Sequence, residues 1–217
     1  MSKSKASLSR RELLVASATG AAGLVAGVFT PLAALAAPIE GTDFTRVVPP
    51  QPTEHSGKIE VTEFFGFWCP HCNDFDPILN EWIKKQPADV AMNYVPIAFY
   101  DAQVPYQRLF YTLKVLGKEE SLRSKVFYAI HTAKTPMDTG EQQAEWAGQN
   151  GIDKKRYLEL YNSFSVQNDA RRATSIANIY GVSSVPTLSV NGKYTVLGSA
   201  GALSTVDFLV AQERHTK

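Results

Sequence analysis

The sequence predicts an α/β protein, a small sheet flanked by helices into which a long all-helical segment is inserted. Three observations carry this. Lys58 to Phe67 is rich in Val and Phe and runs straight into a helical pattern, with Phe75, Ile78, Leu79, Trp82 and Ile83 at offsets of three and four. From Asp101 to about Tyr180 the apolar residues keep helical spacing and no β-type run interrupts them. The β signal then returns as Val185–Val190 and Lys193–Leu197, joined by Asn191-Gly192, a favoured two-residue hairpin turn. With 217 residues, 44% hydrophobic and 20% charged, the chain has the composition of an ordinary globular protein with a sizeable core.

The first 36 residues stand apart from the folding pattern. Lys3, Lys5, Arg10 and Arg11 precede a mild apolar run, Leu13 to Leu35, which closes on the small-residue pattern Ala34-Leu35-Ala36 before Ala37-Pro38. This predicts a secretory signal over 1–36, cleaved near Ala36. An uncleaved membrane anchor competes, because the run is long enough to span a bilayer. The cleavage pattern and the scarcity of Leu, Ile and Phe weigh against it. Ser9-Arg10-Arg11-Glu12-Leu13-Leu14 resembles a twin-arginine export motif, although basic leaders also contain arginine pairs by chance. No cysteine lies near the cleavage pattern, which excludes lipid attachment there. Removing those four basic residues and Glu12 takes the formal net charge from +1 to about −2, so nothing calls for a nucleic-acid partner. Export would place the two cysteines where a disulfide persists.

After a polar, Pro-rich lead from Pro38 to Gly57, Phe44–Val48 reads as a short edge strand stopped by Pro49 and Pro50. The strand Lys58–Phe67 follows, then a helix from about Pro70 to Lys85 in which Pro77 removes a backbone donor and should produce a kink. Val90–Pro96 reads as a strand lying parallel to Lys58–Phe67 through the intervening crossover. Five helices are predicted next. The first carries Leu109, Phe110, Leu113 and Leu116 and ends at Gly117. The second carries Leu122, Val126, Phe127 and Ile130. A third is capped by Thr139 and bears Trp146. A fourth is marked by Tyr157 to Phe164, and a fifth runs from about Val166 to Tyr180 before Gly181. After the hairpin, a last helix spans about Ala202 to Gln212. The expected organisation is a sheet domain made of 37–100 and 181–217, interrupted by a helical insertion at 101–180.

Cys69-Pro70-His71-Cys72 sits where the strand hands over to the helix. Proline suits the first helical turn, where its missing N–H would lack an intrahelical partner. Cys69 is then at or near the N-cap, beside free amides and the positive end of the helix dipole, which favour the thiolate. Cys72 lies one turn on, within reach of a disulfide. An inert structural disulfide is disfavoured because so short a loop constrains the unfolded chain little. Structural zinc wants four ligands, and the chain holds these two cysteines with His55, His71, His131 and His215. The strand–CxxC–helix context points to a redox-active dithiol. Pro186, just after Val185 at the start of a strand, is either an ordinary strand-starting proline or a cis proline.

Taken together, Glu63-Phe64-Phe65-Gly66-Phe67-Trp68-Cys69-Pro70-His71-Cys72 and Val185-Pro186-Thr187 resemble the DsbA family of periplasmic thiol:disulfide oxidoreductases, across about Phe44 to Gln212. The resemblance implies a thioredoxin fold with an inserted α-helical domain, no cofactor, no metal and a periplasmic location. It implies that Cys69 is the nucleophile that holds a mixed disulfide with substrate and Cys72 the buried resolving partner. Pro70 and His71 would tune the pair, and Glu63 would be a buried acid assisting proton transfer; strand alternation alone leaves Glu63 equally compatible with an exposed position. Val185 and a cis Pro186 would bind substrate backbone. The partners implied are reduced or unfolded exported polypeptides, and a DsbB-type, quinone-linked membrane oxidase that restores the disulfide.

Trp68, at the strand's exit, is expected at the surface, lining an apolar groove for unfolded polypeptide, with plain packing as the alternative. A reductase or isomerase of the same fold, or a non-enzymatic chaperone-like binding module, are the competing functions. The short lead before Lys58 leaves no room for a dimerisation domain of the isomerase type, and a binding module has no need of both cysteines.

Overall fold

The computed structural model describes residues 37–216; the predicted signal lies outside them. The centre of the molecule is β2 (Ile59–Phe65), in which all seven side chains are buried. It pairs in parallel with β3 (Val90–Pro96) and antiparallel with β4 (Thr187–Val190). β5 (Tyr194–Leu197) follows β4, and β1 (Thr45–Arg46) closes the far edge, giving the order β1-β5-β4-β2-β3. The expected edge strand is thus cut to two residues. The chain leaves the ladder through Val48-Pro49, a cis peptide.

Helices cover both faces of β2, so both of its side-chain sets are buried, including the polar Glu60, Thr62 and Glu63. Ile59 and Val61 pack with Phe75, Leu79 and Trp82 of α1 (Pro70–Ile83), which runs on through Pro77. On the other face Phe64 meets Ala173 and Ala177 of α6 (Phe164–Ile179). Between β3 and α6 lie a 3-10 turn (Asp101–Gln103), α2 (Val104–Val115), α3 (Glu119–Phe127), α4 (Gly140–Gln149) and α5 (Lys154–Tyr161). Their core of Leu109, Phe110, Leu113, Val126, Ala147 and Tyr157 is continuous with Phe65 and Phe67 of the sheet. α7 (Ala202–His215) covers the β4–β5 hairpin with Leu203, Val206 and Leu209.

The helix boundaries follow the local chemistry. Thr139 accepts from the Gln142 amide in a reciprocal capping box, and the Asp153 and Ser163 side chains cap α5 and α6 by accepting from the Arg156 and Val166 amides. Phe164, expected at the end of the fourth helix, instead opens α6 because Ser163 restarts the chain as an N-cap. The second predicted helix does not stay α-helical to Ile130. After Phe127 it widens into a π turn over Tyr128–Thr132. At the hairpin, Asn191 and Gly192 adopt φ of 50° and 69°, and the Lys193 amide donates to the Val190 carbonyl at 3.0 Å.

Candidate active site

The end of β2 and the start of α1 build the site. Cys69 is the N-cap of α1, with extended φ and ψ of −89° and 119°, and Pro70 occupies the first helical turn. Cys69 is 4% exposed and Cys72 is fully buried; both are free thiols. The Cys69 thiol is drawn well below the usual range, to about 6. The leading cause is the hydrogen bond from the Cys72 thiol, followed by the backbone amides of Cys72 and His71 and the charge of His71; burial opposes them. Cys72 is pushed far up, by the same hydrogen bond, by burial and by the nearby Glu63. One sulfur therefore carries the negative charge and its neighbour keeps the proton.

Val185–Pro186 is a cis peptide, and the Val185 carbonyl oxygen lies 3.6 Å from Cys69 Sγ, placed to accept a hydrogen bond when that sulfur holds its proton. Beside them runs a groove of about 390 Å³ lined by His71, Phe75, Ile78, Val185, Pro186 and Leu197 among others. Pro70 and His71 are exposed, and His71 lines the groove. The structure thus brings together Cys69, Pro70, His71, Cys72, Val185 and Pro186.

Trp68, expected at the surface, is partly exposed. It is half-buried against the helical core, its Nε1 donates to the Ile97 carbonyl at 3.2 Å, and its ring stands edge-on to Phe99, with centroids 5.8 Å apart. The indole folds back over Gly66, occupying the space a Cβ there would need. Trp68 is therefore absent from the lining of the groove beside Pro186.

Glu63 is 1% exposed, in line with Val61 and Phe65 on the α1 face of β2. Burial pushes its carboxyl up to about 8 even though Arg123 opposes the shift; Asp76, Cys69 and Glu119 add to it. Asp76 (α1), Tyr94 (β3), Glu119 and Arg123 (α3) complete this cluster, and sequence reading missed all four. A signal existed for Arg123. It lies at offsets of three and four from Val126 and Phe127, inside the apolar stripe of its helix, where an unpaired cation is costly. Also unforeseen is His131, in the π turn, whose Nε2 lies 2.7 Å from the Phe67 carbonyl, two residues before Cys69. Among the described residues no three His, Cys, Asp or Glu side chains converge in the manner of a metal site.

A CxxC dithiol at a helix N-terminus, facing a cis proline just ahead of an adjacent strand, defines a thioredoxin-type thiol–disulfide centre. Residues 60–209 match the family described as DSBA-like thioredoxin domain. The "Thiol:disulfide interchange protein DsbA" of Burkholderia cepacia is 39% identical over 202 residues, covering 90% of this chain and 94% of that protein. Its counterpart in Bordetella pertussis is 37% identical over 209 residues, covering 93% and 96%. The crystal structure of Pseudomonas aeruginosa DsbA superposes with a TM-score of 0.77 at 34% identity, covering 82% of this chain and 96% of that one. Oxidoreductase DsbA from Xylella fastidiosa gives 0.78 at 31% identity, covering 82% and 98%. The chain belongs to the DsbA-like thioredoxin family and is a thiol:disulfide oxidoreductase.

Proposed function

We propose that the protein donates the Cys69–Cys72 disulfide to reduced, newly exported polypeptides, with Cys69 as the sulfur that carries the mixed disulfide. The observation that carries this reading is the unequal pair, with Cys69 drawn down to about 6 and Cys72 pushed far up. A substrate thiolate attacks Cys69 Sγ, the Cys69–Cys72 bond breaks, and Cys72 leaves. A sulfur so averse to charge leaves as a thiol, taking a proton that Glu63 holds at neutral pH. The substrate's second thiolate then attacks its own sulfur in the mixed disulfide and expels Cys69 as a stabilised thiolate. Two electrons pass from the substrate dithiol to the enzyme. The dithiol carries them without a cofactor.

His71 and Pro70 tune the pair from the first turn of α1. Val185 and Pro186 supply backbone and an apolar wall for an extended substrate chain. Segments 37–100 and 181–217 form the thioredoxin-like part, and 101–180 the inserted helical domain. Residues 1–36 are read as the export signal, which places the mature protein in the periplasm. No helix among the described residues is long and apolar enough to cross a membrane. Reoxidation is assigned to a DsbB-type, quinone-linked membrane partner.

The test is a trapping experiment. With Cys72→Ser first activated at Cys69 as a mixed disulfide with an aromatic thiol, a thiolate of a reduced exported polypeptide should displace that thiol, stay attached to Cys69 and be released by dithiothreitol, whereas Cys69→Ser treated in the same way should capture none. Equal capture by both variants would remove the assignment of roles.

A further inference from the structure

The cluster beneath the dithiol contains a cation that the CxxC chemistry does not itself require. Arg123 is 5% exposed, and it comes from α3, sixty residues along the chain from Glu63. Its Nη1 lies 3.5 Å from Glu63 Oε2 and 3.2 Å from Asp76 Oδ1, and its Nε lies 3.4 Å from Glu119 Oε1. Nη2 donates to Asn80 Oδ1 at 2.7 Å and to the Tyr94 hydroxyl at 2.8 Å, and the guanidinium lies 3.7 Å from the centre of the Tyr94 ring. Strand register sets Tyr94 directly beside Glu63. Asp76 is held on its other oxygen by Asn80 and Ser124, at 3.0 and 2.6 Å, so it is not free to swing away.

Three carboxyl groups from three points in the chain thus share one guanidinium in a site from which water is largely excluded. Removing the cation would leave Glu63 facing Asp76, Glu119 and the Cys69 thiolate with nothing opposite. A fixed guanidinium cannot relay a proton, because it does not give one up at accessible pH. It can hold a carboxyl in place and set how readily that carboxyl ionises.

We infer that Arg123 is a positioning residue for the redox centre: carried in by the helical insertion, its guanidinium holds the Glu63 carboxyl beneath the dithiol and governs its exchange of a proton with Cys72. The inference rests on the proton-transfer reading of Glu63 given above. It makes the insertion an electrostatic component of the active site, in addition to a cover for the sheet. The groups facing Glu63 are Asp76, Cys69 and Cys72 from α1, Tyr94 from β3, and Glu119 and Arg123 from α3.

Two readouts separate this inference from the reading beneath it. The Glu63 side-chain carboxyl is titrated by carbon-13 NMR in the oxidised protein, and the rate of substrate oxidation is measured against pH at constant substrate-thiolate concentration. In the parent protein both should show a transition above the ordinary carboxylate value, raised by the burial of Glu63, with the rate falling as Glu63 loses its proton. Arg123→Met should move both transitions upward by about a unit or more, roughly a tenfold change in the protonation ratio, and Arg123→Lys should restore at least half of that shift. An unmoved Glu63 transition in Arg123→Met overturns the inference. Should Arg123→Met fail to fold, Arg123→Gln is titrated in its place: an upward displacement of its Glu63 transition supports the inference, and an unmoved transition overturns it. Glu63→Gln, in turn, should abolish the rate transition. A rate transition that survives Glu63→Gln removes the proton-transfer role, and the inference with it, whatever the NMR titration shows.

Discussion

Glu63 and Cys69 sit six residues apart, and their surroundings drive them in opposite directions. Burial keeps the proton on the carboxyl, while hydrogen bonds and helix amides take it from the thiol. Each shift carries a pH dependence of stability. Glu63 binds its proton in the folded state up to about pH 8 and in the unfolded chain only to about pH 4.5. Its contribution is therefore fully favourable below the unfolded value and is lost as pH rises through the folded one. In the reduced protein this term should weaken stability by up to roughly 1.4 kcal/mol per pH unit between about pH 5 and 8. Urea unfolding of the parent protein and Glu63→Gln at pH 5 and pH 8 checks this: the variant should lack that slope, and parallel curves would contradict it. The strand pattern could not place Glu63 because alternation needs one wet face, and β2 has none. Cys69 was legible because its partners, Pro70, the first amides of α1 and Cys72, are its sequence neighbours.

Most element boundaries could be read for the same reason. Thr139 capping α4 and the strand Val90–Pro96 depend on signals within a few residues. The π turn at Tyr128–Thr132 does not. It widens where His131 reaches the Phe67 carbonyl, a contact spanning 64 residues. The hairpin between β4 and β5 combines both kinds of cause. Asn191-Gly192 announces a turn, but the identity of Gly192 is also fixed by Gln51, whose amide donates to the Gly192 carbonyl at 2.8 Å and whose own carbonyl occupies the space of a Cβ. Gly181 has a similar φ of 65° with open space around it. Thermal or urea unfolding should show Gly181→Ala costing about 1 kcal/mol from backbone strain, and Gly192→Ala at least twice that, because Gln51 must also move. Equal costs would mean that the lead segment does not press on the turn. The distant pairing Arg123–Glu63 explains why the cluster was not foreseen.

Across the whole molecule, the sheet fixes the dithiol opposite Val185, the groove runs beside it, and the insertion packs against Phe65 and Phe67 and brings Arg123 beneath it. Direction of electron flow follows from which redox state this frame favours. At pH 7 a thiol with a pKa near 6 is mostly ionised, which favours the reduced form by at most roughly 1.4 kcal/mol, or about 30 mV, since solvent screens part of it. A protein more comfortable reduced gives its disulfide away. The decisive measurement is the alkylation rate of Cys69 by iodoacetamide in the reduced protein, followed from about pH 4 to about pH 10 with the modified residue identified by peptide mass. Half-maximal reactivity near pH 6 is the expected result. A midpoint at the ordinary thiol value of about 8.5 would show that the frame does not stabilise the thiolate, and disulfide donation would lose its driving force.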